Sequence, residues 1–136
     1  MTILACEVSI HAQPELATTA TQGHLLLPSD WEGGPWGRTF DDALTALGEQ
    51  PRLYTELDGS FVWTSAPDAP RWQLFGTLYD RGIELAYVDL YGTCDCDSLR
   101  QLFHLLRGTT PLMIQQRAAG LFYAEEAFLN GPTSPA

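Results

Sequence analysis

Two runs of alternating apolar character, residues 71–79 and 83–92, are joined by Asp80-Arg81-Gly82, and no other stretch restricts the fold as much. Alternation with a period of two marks a strand that buries one of its sides. A three-residue connector with glycine third fits a type I turn closed by a left-handed bulge residue, so the runs are read as an antiparallel hairpin with Tyr79 opposite Ile83. This register sorts the side chains. Trp72, Leu74, Gly76 and Leu78 fall with Ala86, Val88 and Leu90 on a core face, while Gln73, Phe75, Thr77 and Tyr79 fall with Leu85, Tyr87, Asp89 and Tyr91 on the other. A two-residue turn would slip the pairing by one and mix the two sets.

The neighbouring segments extend the pattern. Runs 52–57 and 60–65 flank Asp58-Gly59, a pair that tolerates positive φ, and form a second hairpin. Thr39 is an N-cap for a short helix with Asp41 and Asp42 in its first turn, Phe40, Leu44 and Leu47 on one face and Gly48 at its end. Asp97 or Ser98 caps a second helix that runs to Arg107 and presents Leu99, Leu102, Phe103 and Leu106 together, with Gly108 as its stop. Residues 111–116 read as a strand, and 121–129 as a short strand passing into a short helix near Glu125. At the amino terminus, 3–10 and 24–27 read as strands and 29–37, with three glycines and one proline, as a loop. The expectation is a single α+β domain over residues 1–136: an antiparallel β-meander of four to six strands with two or three short helices packed on one face. Residues 1–38 form an amino-terminal extension, and 130–136 a frayed tail.

Charge narrows the function. The 136 residues hold 17 acidic side chains against seven arginines, a formal net charge of −10, and no lysine. Schiff-base chemistry and a phosphate-binding P-loop both need a lysine and are excluded. Arg38, Arg52, Arg71, Arg81, Arg100, Arg107 and Arg117 are scattered singly, which is unsuited to a phosphate backbone, so no nucleic acid is expected as a partner. No apolar run approaches the roughly 20 residues of a membrane span, and Met1 to Cys6 lacks the charged start and apolar stretch of a secretory signal. With an odd number of cysteines, three, the expected setting is cytoplasmic, with no membrane association.

Several clusters could carry chemistry. Cys94-Asp95-Cys96-Asp97 has two thiols and two carboxylates, but one residue between the cysteines matches neither zinc nor redox spacing, and helix capping explains the aspartates, so no metal or other cofactor is expected. His24, Ser29 and Asp30 have the side chains of a nucleophilic triad without the strand-turn-helix setting that such triads use. Asp41 and Asp42 are explained by the helix dipole. No catalytic residue is assigned. The feature that stands out is the outer face of the 71–92 hairpin, where Phe75, Tyr79, Tyr87 and Tyr91 surround Gln73, Thr77 and Asp89, apolar in body and polar at the tips as interfaces are. Trp31 and Trp36 join the candidate contact residues as a rim, or else fold inward as a lid.

The order of elements over residues 39–129 and the small acidic chain resemble, in architecture, the acidic secretion chaperones, whose dimers wrap an extended partner segment. No functional residue is carried over from that resemblance. The expected function is a non-enzymatic protein-interaction module that uses its aromatic sheet face for a protein partner or as a homodimer. The alternatives are a small-ligand binder or hydrolase with a pocket near the loop of Trp31 and Trp36 and Asp89, and a metal binder through Cys94 and Cys96.

Overall fold

The computed structural model describes residues 2–131 and the backbone of residues 134 and 135. Its strands are β1 (Ile3–Ala12), β2 (Thr18–Thr19), β3 (Leu25–Leu26), β4 (Leu53–Thr55), β5 (Ser60–Thr64), β6 (Gln73–Arg81), β7 (Glu84–Asp95), β8 (Leu112–Gln116), β9 (Leu121–Ala124) and β10 (Ser134–Pro135). Its helices are α1 (Phe40–Gly48), α2 (Cys96–Leu106) and α3 (Glu125–Asn130). All ten described strands join one sheet in the order β2-β3-β9-β8-β1-β7-β6-β5-β4, and β10 pairs with β1 off that path. Every pairing is antiparallel.

The α+β class holds, but the sheet exceeds the expected four to six strands. The two-residue strands carry no periodicity to read, and the amino-terminal segment is no appendage. β1 runs through the middle of the sheet, with β7 along one edge and β8 along the other. Asn130 closes α3 and Ser134–Pro135 pairs with β1, while Pro132, Thr133 and Ala136 of the expected frayed tail lie outside the described residues.

Residues opposite one another in an antiparallel pair share a face, and one face of this sheet is oily. Cys6, Val8 and Ile10 of β1, Leu74 and Leu78 of β6, Val88 and Leu90 of β7, and Leu112 and Ile114 of β8 are buried in one cluster. Ala43 and Leu47 of α1, Leu99, Leu102, Phe103 and Leu106 of α2, and Phe128 and Leu129 of α3 complete it, so all three helices cover the same side. Thr39 caps α1 as expected, its hydroxyl accepting from Asp42 N at 3.1 Å. The cap of α2 is Asp95, not Asp97 or Ser98: its carboxylate accepts from Ser98 N and from Ser98 Oγ, both at 2.8 Å. β7 therefore runs straight into the helix.

The hairpin of β6 and β7 keeps the expected sorting by a different register. The turn has two residues, with Arg81 opposite Glu84, and Tyr79 faces Tyr87 instead of Ile83. Gly82 has φ +65° at the first central position, the site that type II′ turns reserve for glycine. Such a turn alone would mix the two faces. The pairing shifts again between Tyr79 and Asp80, leaving Ala86 as an extra residue, and this bulge restores the parity. The slip is therefore confined to the turn, where Leu85 goes into the core in place of Ala86. Leu85 N donates to Arg38 O at 3.0 Å, and Phe40 N to Ile83 O at 3.0 Å, so the start of α1 holds the bulged segment.

Candidate functional site

The face turned away from the helices carries most of the predicted contact residues, in three rows. Glu7, Tyr91, Phe75, Val62 and Tyr54 follow one another across β1, β7, β6, β5 and β4. The Phe75 and Tyr91 rings stack with centroids 5.0 Å apart, and Tyr91 is 55% exposed. In the next row Gln115, Ser9, Asp89, Thr77 and Ser60 align. Ser9 Oγ donates to Asp89 Oδ1 at 2.6 Å, which fixes the carboxylate in the middle of the sheet. The third row begins with Tyr79 stacked on Tyr87 at 4.4 Å and continues to His11, whose ring stacks on Tyr87 at 5.6 Å. Burial, then the Asp89 carboxylate and Tyr79, push the Tyr87 phenol up.

The amino-terminal segment covers one end of this face and leaves the other open. Trp31 lies edge-on to both His11, at 5.4 Å, and Phe122 of β9, at 5.6 Å. Met113, on the same side as His11, is fully buried there, and Leu25 of β3 is buried as well. Burial under this cover pushes the His11 imidazole down, opposed by Asp89 and by a hydrogen bond with Gln115. Toward β6, β5 and β4 the cover ends, and Tyr79, Tyr91 and Tyr54 are exposed.

The two loop tryptophans part company. Trp31 belongs to the outer face, whereas Trp36 is 0% exposed in the helix-side core and donates from Nε1 to Leu106 O at 2.7 Å. Trp36 is thus a core residue rather than a rim, because the chain passes from one side of the sheet to the other between these positions. Between the loop and the strand ends lies a cleft of about 550 Å³ lined by Trp31, Asp30 and four prolines. Asp89 does not line it, so the loop and that carboxylate do not form one pocket. Sequence reasoning missed His11, Ser9, Val62 and Tyr54 as members of the outer face. The signal was present for His11 and Ser9, as the odd positions of β1, but only the pairing of β1 with β7 attaches them to Tyr87 and Asp89.

The remaining clusters stay apart. Cys6 and Cys94 are buried on the core side, and burial pushes the Cys6 thiol up to about 12 and the Cys94 thiol up as well. Cys96 is half-buried. Among the described residues no group of three or more His, Cys, Asp or Glu side chains is arranged to hold a metal ion. No hydrogen bond joins the side chains of His24, Ser29 and Asp30 among the described residues. No described helix is long and apolar enough to cross a membrane. Compared with protein-family models, curated proteins and solved structures, the chain matches none.

Proposed function

We propose that this chain is a small acidic protein-interaction module, not an enzyme, whose outer sheet face receives a basic protein partner. The observation that carries the reading is the pair of ring stacks, Phe75 on Tyr91 and Tyr79 on Tyr87, on the side of the sheet that none of the described helices covers. Tyrosine offers a large rigid apolar body with a polar tip, which suits a surface that must be wet alone and dry when bound. The chemistry of the partner follows from charge. Glu7 and Asp89 are the acidic side chains in the three rows, and the whole chain carries −10. Arginine or lysine side chains of a partner would meet carboxylates and ring faces together, and ring faces attract cations. A second copy pressed face to face would instead bring Asp89 toward its own equivalent.

The test compares wild type with Tyr91→Asp and Tyr79→Asp, using Leu57→Asp in an exposed turn as the control. Affinity purification from source cells with quantitative mass spectrometry is expected to recover a basic protein with wild type and the control, and to lose it with the face variants. Light scattering on purified wild type is expected to show a monomer. A dimer that Tyr91→Asp dissociates would assign the face to a second copy and overturn the partner reading. So would a monomer whose recovered proteins are the same for all four forms.

A further inference from the structure

The cleft beside Trp31 has the construction of a small-molecule site, and its volume of about 550 Å³ falls within the usual range for ligand pockets. Pro14, Pro28, Pro35 and Pro111 line it, drawn from three segments that meet at the end of β1 and the start of β8. Every one of these prolines has its carbonyl engaged. Pro111 O accepts from Gln13 N at 2.8 Å, Pro14 O from Ala17 N at 3.1 Å, Pro28 O from Trp31 N at 3.0 Å, and Pro35 O from Thr110 Oγ1 at 3.1 Å. Proline has a fixed φ and no N–H. At these four positions the wall is therefore stiff before any ligand arrives and has little backbone polarity left to offer, so it rewards shape rather than a hydrogen-bonded chain laid along it.

The charged residues lining the cleft are Glu15 and Asp30, both carboxylates and both exposed. Arg81 lines instead a neighbouring cleft that shares Gly33, Gly34 and Pro35. An anionic ligand would meet two like charges and no cation. A neutral ligand would leave the two carboxylates, which stay in contact with water, without a partner. A bare metal ion would find two carboxylates among apolar walls, which is not a ligand set. An organic cation suits this lining best, with an apolar body for the prolines, a charge for the carboxylates Glu15 and Asp30, and the Trp31 indole as a further neighbour that favours cations.

We infer that the cleft between Trp31 and the four prolines binds a small organic cation, an ammonium or quaternary ammonium group on an apolar body. The probe is benzyltrimethylammonium, and its neutral isostere neopentylbenzene has the same shape without the charge. Amide and indole shifts of ¹⁵N-labelled protein are followed during titration, with Glu15→Gln/Asp30→Asn as the variant because both positions are exposed. Saturable shifts are expected at Trp31, Thr109 and Thr110, with the isostere about tenfold weaker and the double variant roughly fivefold weaker for the cation. Tyr91→Asp is expected to leave this binding unchanged, which separates it from the protein interface. Equal affinity for cation and isostere would overturn the inference, as would the absence of saturable shifts in the cleft up to about 10 mM probe.

Discussion

Gly76 sits opposite Phe61 on the core face, and a methyl group added there would stand 2.7 Å or less from three carbons of the Phe61 ring. Side-chain carbons do not approach one another that closely, and Phe61 is buried with little room to retreat. Gly76→Ala therefore sets two effects against each other. The backbone of Gly76 is not at positive φ, so alanine restricts the unfolded chain and favours folding by about 0.4–1 kcal/mol. Overpacking a filled core costs about 1–3 kcal/mol. The clash is severe enough to put the cost in the upper part of that range, and the net expectation is a loss of about 1–2.5 kcal/mol. Equilibrium urea unfolding followed by tryptophan fluorescence measures it, since Trp63 and Trp72 are buried in the same cluster. The partner is checked by a double-mutant cycle: in a Phe61→Leu background, the alanine should cost at least about 1 kcal/mol less than in wild type. A change within about 0.5 kcal/mol in wild type, or strict additivity in the cycle, would refute the placement of Gly76 under Phe61. The outer face would fall with it, because the same strand parity turns Phe75 and Thr77 outward.

The other predictions concern protons and thiols. His11 has its pKa lowered below the ordinary 6.5 by burial, so between that value and the lower folded one the unfolded chain binds more protons. Stability should then rise with pH through this window and fall as pH drops below 6.5, and His11→Phe should flatten the profile just below that pH in urea unfolding. An unchanged slope in the variant would place the titration elsewhere. A thiol reagent at neutral pH should modify Cys96 quickly and Cys6 and Cys94 only on unfolding, since burial holds the latter two protonated. Rapid reaction of two or more thiols in the folded protein contradicts their burial.

Strand existence was legible wherever a run was long enough to alternate. The division between Val88 and Leu90 on one side and Tyr87, Asp89 and Tyr91 on the other survived a different turn, because face depends on parity alone and a bulge returned what the shorter turn took away. Leu85 and Ala86, inside the altered segment, were assigned to the wrong faces, because the pattern does not show where the bulge falls. The cap of α2 was misplaced for a local reason: Asp95 and Asp97 are equally good N-caps by type, and only the length of β7 decides between them. His11 and Trp31 were out of reach for a longer-range one. Their neighbours Tyr87 and Phe122 lie far along the chain, and nothing in a local window announces which strand will be adjacent.

The middle position of β1 bears on how the molecule is made. This strand is synthesised well before its neighbours β7 and β8, so Ile3–Ala12 has to wait as an unpaired, apolar ribbon while α1 and the β4–β7 meander take shape. Closing the sheet is a late event that couples segments made far apart in time, and a chain interrupted before Leu112 would leave an edge of β1 without β8 and ready to seek one elsewhere.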